Sequence, residues 1–371
     1  MYRRAAFALS SLLAFVSGLA SCGDGESSSS GGSTSTGGAG GAGGNTSSAI
    51  ACDSAPSELS LSGTWAAYGR LSVKLLGVPG GAITICPEDQ IGESTMLLLV
   101  TLKQDQADKS KISEASAVLC SIELPVVTAL VGQCDPSSPT LVSTQIEAPP
   151  GFISALPKIA TMPVTGSLDG LSKGAAMTLD PFTVTAGTSK SGGAMPKWSV
   201  NDLSCNAVNL GRTDCEMMCV DDCSAMRDDD GDTYPGMTMH VCGKTPDDVK
   251  NGVSCNAEAP NEPGTTLQGR AFLNLEVNPK LSGTAISSCE LSGTVDSDVL
   301  YNVVGADVYL TGGQIGVSSA IKSLPTFDVD PTLSKFRMVR IDGQYGAPDW
   351  AVNPADAAAA CAVLNQRVNE L

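Results

Sequence analysis

A short acidic segment between residues 228 and 236 carries residue types that can bind a metal ion. It reads Asp-Asp-Asp-Gly-Asp-Thr-Tyr-Pro-Gly, so that Asp228, Asp230 and Asp232 alternate along the chain. Calcium is a hard cation that takes several oxygen ligands, and carboxylates two residues apart in a curled loop can converge on it. The spacing therefore predicts a structural Ca²⁺ site at these three residues, which would stiffen the segment. The alternative is a solvated turn in an acidic protein.

The same segment resembles the Asp-x-Asp-x-Asp calcium loops of EF-hand, dockerin and thrombospondin-type proteins, with two departures. The sixth position is Thr233 instead of glycine, and the twelfth is Met239 instead of a bidentate glutamate. The resemblance implies that a closing ligand comes from elsewhere, and the candidates are Asp221, Asp222, Asp247 and Asp248.

Cys22 is a second chemically distinctive residue, because it lies between an apolar run and a Gly/Ser tract. The chain begins Met-Tyr-Arg-Arg, continues without a charge and reaches Leu19-Ala20-Ser21-Cys22. A basic start, a short apolar segment and small residues before a cleavage point are typical of an export signal, and the apolar segment is too short for a spanning helix. Residues 1–21 are therefore predicted to be a signal peptide.

The ending Leu-Ala-Ser-Cys resembles the lipobox of bacterial lipoproteins. This resemblance implies that the Cys22 thiol carries diacylglycerol, that residues 1–21 are removed, and that the new amino group is acylated. Several acyl chains on one residue anchor a protein firmly to a membrane. Gly23 after the cysteine implies an outer-membrane location, on the periplasmic face or at the cell surface. The alternative is an ordinary signal peptide cleaved near Ala20, with Cys22 as a free thiol.

Residues 22–50 are predicted to be a flexible tether. Gly23 to Ser48 consists almost entirely of Gly, Ser, Thr, Ala and Asn, which offer little apolar surface to bury. A lipobox followed by such a tract resembles the Gly/Ser-tethered lipoproteins of myxobacteria, a resemblance that implies no particular activity.

Charge excludes one class of partner. The net charge is −17, and removing the leader with Arg3 and Arg4 makes it −19. Such a surface repels nucleic acid, so no nucleic-acid partner is predicted. The predicted partners are the membrane, through the lipid anchor, and an unidentified protein, glycan or lipid.

The chain contains 13 cysteines, and setting Cys22 aside leaves twelve. Because an exported chain enters an oxidising compartment, six disulfides are expected, with the pairing open. Zinc or an iron–sulfur cluster is the alternative for the six cysteines between residues 201 and 262. The predicted disulfide cysteines are Cys52, Cys86, Cys120, Cys134, Cys205, Cys215, Cys219, Cys223, Cys242, Cys255, Cys289 and Cys361.

Alternating side chains predict β-strands at Trp65–Leu75 and at Leu267–Val277, each with Gly-Arg at the same phase. After each of these two strands, the chain contains a cysteine, then a Leu-Pro pair, then an Asp-Gly pair, which indicates an internal repeat. We call these shared residues, with the Gly-Arg pairs, the landmarks of the repeat. The predicted fold is mainly β: tandem antiparallel sandwich or barrel-like domains, a small disulfide-rich insert and a C-terminal helix that starts at Asn353. One large β-sandwich is the alternative. The predicted bounds are 51–200 for the first β-domain, 201–262 for the insert, and 263–371 for the second β-domain with its helix.

Catalytic motifs are weak. Gly170-Leu171-Ser172-Lys173-Gly174 matches a nucleophile-elbow pattern without the strand–turn–helix context, and His240 is the only histidine.

Gly63-Thr64-Trp65 resembles the Gly-x-Trp start of lipocalins, which implies a lipid or small-molecule carrier; a tryptophan that plugs the end of a β-domain is the preferred interpretation. The sequence therefore predicts a non-catalytic, lipid-anchored envelope protein with a binding, adhesion or structural role, no cofactor besides Ca²⁺, and a carrier as the alternative.

Overall fold

The computed structural model describes twelve stretches of the chain. They are residue 52 and residues 57–76, 84–85, 91–123, 129–130, 143–159, 163–196, 225–234, 236–244, 267–310, 313–315 and 326–371. The predicted signal peptide, Cys22 and the tether lie outside these residues. Within them, neither α-helix has the length and hydropathy needed to cross a bilayer.

The described residues form fifteen strands and two α-helices, with short 3₁₀ turns between them. The strands are β1 (Gly63–Leu76), β2 (Thr84–Ile85), β3 (Ile91–Gln104), β4 (Lys111–Glu123), β5 (Ala129–Leu130), β6 (Ser143–Glu147), β7 (Val164–Leu168), β8 (Ala175–Leu179), β9 (Val184–Ala186), β10 (Met237–Lys244), β11 (Leu267–Ser287), β12 (Glu290–Leu310), β13 (Gly313–Ile315), β14 (Thr326–Val329) and β15 (Lys335–Arg340). The helices are α1 (Pro150–Ala155) and α2 (Ala357–Gln366).

Strand β1 confirms the predicted alternation. Trp65, Leu71 and Val73 are buried on one face, whereas Arg70 and Lys74 are exposed on the other. A period of two places successive side chains on opposite faces of a sheet. The first face therefore supplies the barrel core, whereas Ala66 on the other face is buried in a second apolar cluster. The mainly β, antiparallel fold class is confirmed.

Eight of the described strands close into a barrel. The neighbours run β1, β3, β4, β7, β8, β11, β12 and β15, and β15 pairs again with β1. Every pairing in this ring is antiparallel, and the strands follow one another in chain order. This arrangement is an up-and-down barrel, in which ring closure leaves no free sheet edge.

Two of the ring strands continue beyond the barrel. The β11–β12 hairpin has 21 residues in each strand, but only the part around residues 281–295 belongs to the ring. The first part of β11 pairs with β9 and β10, β10 pairs with β6, and the end of β12 pairs with β13. We call this part of the sheet the extension.

Strands from both predicted β-domains take part in the same ring. The described residues belong to one compact unit. Strand β15 from the predicted second domain lies between β1 of the first and β12 of the second. The two Gly-Arg landmarks also differ in position, because Gly69 lies in the ring whereas Gly269 lies in the extension. Ring closure requires the first and last strands to pair, so the two halves share one core.

A buried apolar cluster fills the barrel interior, and a second cluster lies between the barrel wall and α2. In the second cluster, Trp350 and Leu364 pack against Leu97 and Leu99 of β3. Helix α2 begins later than predicted, because Asp356 caps it by accepting the N–H of Ala359, whereas Asn353 closes the preceding turn.

A single buried arginine closes one end of the barrel. The guanidinium of Arg340, at the end of β15, is fully buried and lies 4.7 Å from the centre of the Trp65 ring. It donates to the carbonyl oxygens of Ser288 at 2.6 Å, Ser62 at 2.9 Å and Ser60 at 2.6 Å. A further bond reaches the carboxylate of Asp342 at 3.1 Å. The arginine thus joins the last strand, the β11–β12 turn and the segment before β1. We call this region the closed end.

Replacing Arg340 should strongly destabilise the barrel. Arg340→Met keeps the aliphatic stem but leaves three buried or partly buried carbonyl groups without this donor and Asp342 without its cation. We expect the free energy of unfolding to fall by about 3–5 kcal/mol, as for other buried ion pairs that lose one partner. Urea unfolding with the disulfides intact measures the change.

Arg70→Met is the matched control, because Arg70, on β1, the strand that pairs with β15, forms an exposed ion pair with Glu93 away from the closed end. Exposed ion pairs contribute about 1 kcal/mol or less. Equal losses in the two variants would contradict the role assigned to Arg340.

Candidate functional site

The structure brings the three predicted metal-binding carboxylates together. One oxygen from each of Asp228, Asp230 and Asp232 lies within 4.8 Å of the other two. Asp228 is exposed, whereas the other two are partly buried. The loop therefore presents three negatively charged oxygens from one side, which is a donor set suited to a hard cation.

The loop curls because its first carboxylate binds its own backbone. Asp228 accepts hydrogen bonds from the N–H groups of Gly231 at 2.7 Å, Asp232 at 3.1 Å and Thr233 at 2.9 Å. Gly231 and Thr233 both have positive φ, at 75° and 76°. Thr233 thus adopts the left-handed conformation at the position where a glycine is missing from the motif.

Asp230 is the least satisfied of the three carboxylates. Its Oδ2 accepts the N–H of Thr238 at 2.8 Å, while its Oδ1 is buried and has no hydrogen-bond partner. Burial raises the pKa of Asp230 from 3.8 to about 6; the Thr238 N–H opposes this rise, and the charge of Asp232 adds to it. A proton or a cation at this oxygen would reduce the electrostatic repulsion between the Asp230 and Asp232 carboxylates.

The loop is attached to the extension at several points. The ring of Tyr234 stacks on Phe272 of β11 with 4.8 Å between centroids, and Asp229 accepts the N–H of Gly187 at 2.7 Å. Gly187 and Gly236 have positive φ and approach the Leu273 carbonyl oxygen so closely that an added Cβ would lie 2.5 and 2.8 Å from it. Only glycine permits this contact.

The structure also shows why Met239, at the twelfth position of the calcium-loop motif, supplies no ligand. Met239 is 2% exposed and packs in an apolar cluster with Phe152 and Leu156, so it faces away from any aqueous cation. The proposed replacements at Asp221, Asp222, Asp247 and Asp248 lie outside the described residues.

Ser172 and His240 are not brought together. Ser172 lies in the β7–β8 turn, where the N–H of nearby Gly174 binds the carbonyl of Ala285. His240 lies in β10, in register with Arg270 of β11. Ala285 and Arg270 are 15 residues apart on β11, which corresponds to roughly 50 Å in an extended strand. This spacing excludes a serine–histidine pair at these two positions.

Two disulfides cross the described structure. Cys52 is bonded to Cys289 in the β11–β12 turn, and Cys120 of β4 is bonded to Cys361 of α2. Cys242 is also disulfide-bonded. The remaining predicted cysteines lie outside the described residues: Cys86, Cys134, Cys205, Cys215, Cys219, Cys223 and Cys255.

The barrel contains a small apolar cavity of about 40 Å³, which is partly open to solvent. Each of the eight ring strands contributes to its wall, which places the cavity inside the barrel. Sequence alternation identified buried faces but could not identify a cavity, because the space depends on side chains from eight strands meeting. The residues that line it, one from each ring strand, include Ala67, Met96, Ala115, Val164, Leu179, Leu281, Val295 and Phe336.

Trp65 is fully buried at the closed end, and its Nε1–H donates to the carbonyl of Leu61 at 3.0 Å. This agrees with the plug interpretation of Gly63-Thr64-Trp65. Sequence reasoning missed the partner of this tryptophan, Arg340, because the two residues are 275 positions apart and a lone arginine on a strand usually faces solvent.

Comparison with models of known protein families and with curated proteins finds no match to this chain.

The Asp230 carboxyl should make the stability of the loop depend on pH. Its pKa is higher in the folded protein than its ordinary value of 3.8, so its contribution to stability is present below about pH 4 and is lost as the pH rises through about 6. In EDTA, we expect Asp230→Asn to melt above the original protein at pH 7, with the difference disappearing near pH 4. In millimolar Ca²⁺, only the original protein should gain stability. Thermal melting followed by circular dichroism measures both effects.

Asp349→Asn is the control, since Asp349 caps an exposed turn by accepting the N–H of Ala351. It should leave the calcium response unchanged. A melting temperature of the original protein that is the same in EDTA and in Ca²⁺ would contradict the metal site.

Proposed function

We propose that this protein is a non-catalytic, lipid-anchored component of the outer membrane that presents a rigid β-barrel on a Gly/Ser tether and acts by binding. The observation that carries the proposal is the pair of disulfides, whose cysteines are 237 and 241 residues apart. Disulfides persist in oxidising compartments, so they support export of the chain. The Leu-Ala-Ser-Cys sequence supports acylation of Cys22 after export.

The packing of the barrel supports a scaffold role in adhesion, recognition or organisation of the envelope. The interior is largely filled, the closed end is held by Arg340, and the Cys52–Cys289 disulfide joins the start of the folded unit to the β11–β12 turn. A scaffold of this kind loses little conformational freedom when a partner binds its surface, which favours affinity.

Calcium is part of the proposal as a structural ion. The three carboxylates, the buried Oδ1 of Asp230 and the attachment of the loop to β11 support a cation that strengthens the contact between the loop and the extension. No catalytic step involves this ion. The Ca²⁺ arm of the Asp230→Asn comparison tests it.

The lipid anchor should depend on Cys22. When the full chain is expressed in a Gram-negative bacterium with labelled palmitate, we expect the label on the protein and the protein in the outer-membrane fraction. Cys22→Ser should remove both, because the sulfur that carries diacylglycerol is lost. Protease treatment of intact cells then shows which face of the membrane holds the barrel.

Ser21→Ala is the matched control, because a small residue before the cysteine is kept. An unlabelled, soluble original protein would contradict the anchor and favour the ordinary signal peptide. Twelve free thiols in the folded protein would contradict the oxidising compartment.

A second candidate function is that of a carrier for an apolar molecule. It is favoured by the apolar cavity and by the meander of eight antiparallel strands, an architecture shared with lipocalins. The cavity of about 40 Å³ is much smaller than a typical ligand pocket of roughly 300 Å³ or more. A ligand would therefore have to displace side chains such as Met96, whose unbranched chain adapts readily.

Native mass spectrometry distinguishes the carrier from the scaffold. Cys22→Ser protein from the original host should be used, so that covalent acyl chains are absent. A carrier should retain a non-covalent apolar molecule that is released on unfolding, whereas a scaffold should show only the mass of the polypeptide. Recovery of ligand-free protein after incubation with excess lauric acid would exclude the carrier.

A further inference from the structure

A polar cleft of about 360 Å³ lies on the outside of the closed end, beyond the Trp65 plug. Three structural parts form it: residues 57–62 before β1, the β3–β4 turn at residues 104–109, and Tyr345 after β15. Its volume falls within the range of small-molecule sites, roughly 300–1,000 Å³. Buried Leu61 and Trp65 belong to the core at this end of the barrel, and no residue lines both the cleft and the apolar cavity, so the two are distinct.

The frame of the cleft is held by an internal network of hydrogen bonds. The side chain of Gln104 accepts the N–H of Leu61 at 2.6 Å and donates to the carbonyl of Lys109 at 2.7 Å. Asp105 accepts the N–H groups of Ala107 and Asp108. A ligand would therefore meet a formed surface and pay little ordering cost.

Tyr345 forms an aromatic wall in a conformation that its neighbours hold. Its φ and ψ are 59° and 23°, a left-handed conformation that residues with side chains seldom adopt. The hydroxyl donates to Ser60 Oγ at 2.8 Å, and the Arg340 guanidinium lies 5.1 Å from the ring centre. Backbone outliers of this kind often occur at binding sites.

The charges of the cleft favour a neutral ligand. The ammonium of Lys109 lies 3.6 Å from the Glu58 carboxylate, so the single cation of the lining is balanced by a neighbouring anion. Asp105 adds a further carboxylate, which disfavours phosphate and other anions. What the lining offers is hydrogen bonding, from Ser57, Glu58, Asp105 and Gln106.

We propose that this cleft binds a neutral sugar of one or two rings. Carboxylate and amide groups can each bond to neighbouring hydroxyls, and a fixed tyrosine edge or face can contact the apolar side of a sugar ring. The inference names a ligand class for the binding role proposed above. It does not depend on the lipid anchor, on calcium or on the apolar cavity.

Titration of the full chain, as purified from its host, tests this proposal. The protein is held in a polyoxyethylene detergent, which has no sugar headgroup, and the probes are glucose, N-acetylglucosamine and maltose. Inorganic phosphate and glucuronate are the anionic comparisons, and lauric acid probes the cavity. Ligand-observed NMR gives the dissociation constants. At least one neutral sugar should bind at millimolar concentration or below, and more tightly than either anion.

The variant Glu58→Gln with Gln106→Ala should weaken sugar binding by about tenfold or more, because it alters two hydrogen-bonding groups. Both side chains are exposed, so the melting temperature should not change. Glu114→Gln is the matched control, because Glu114 is also exposed and paired with a lysine, outside the cleft. It should bind sugar normally.

Three results would overturn the proposal: no binding of any of the three sugars at tens of millimolar, equal affinity in the cleft variant and the control, or preference for phosphate or glucuronate. Lauric acid binding that is unchanged by the cleft variant would show that the cleft and the cavity are independent. The anchor and the calcium site are tested by other measurements, so failure here is distinguishable from failure of the proposed function.

Discussion

The buried guanidinium of Arg340 is the contact on which the closed end depends. It links the last ring strand to the segment before the first strand and to the β11–β12 turn. A charge can be buried at low cost only when its donors are all directed to acceptors, and here backbone carbonyls, Asp342 and two aromatic rings surround it. The barrel is thereby closed by polar contacts at the point where its apolar core ends.

The same contact separates two regions of different chemistry. Inside the barrel, Trp65 and its neighbours end an apolar core that leaves a small cavity. Outside, Tyr345 packs over the arginine and forms part of a polar cleft. One residue therefore supports both surfaces, and the disulfide from Cys52 to Cys289 reinforces the same end. A ligand in the polar cleft therefore need not disturb the apolar cavity inside the barrel.

The extension shows how tertiary contacts can reverse a sequence pattern. The alternation in β11 suggests an apolar face at Leu273 and Leu275, yet Phe272, Asn274 and Glu276 are the more deeply buried residues. The segment before the Asp-rich loop covers this second face: Asn274 donates to the Pro196 carbonyl, and Glu276 accepts the Gly192 N–H. Tyr234 of the loop stacks on Phe272. The Asn274 amide nitrogen and the Glu276 carboxylate are each bonded there to a backbone group of another segment, whereas Asn274 Oδ1 has no hydrogen-bond partner.

The sequence by itself determined the local features. Alternation predicted β1, the period-two pattern predicted a mainly β fold, and the spacing of Asp228, Asp230 and Asp232 predicted that their carboxylates would converge. These features depend on neighbours along the chain, within a few residues. Only the tertiary structure decided the features that join distant parts of the chain. These are the single barrel, the pairing of β15 with β1, the contact of Arg340 with Trp65, the pairing of Cys120 with Cys361, and the polar cleft. Each joins residues that are distant in sequence, and such contacts depend on the closure of the whole ring, which no local pattern encodes.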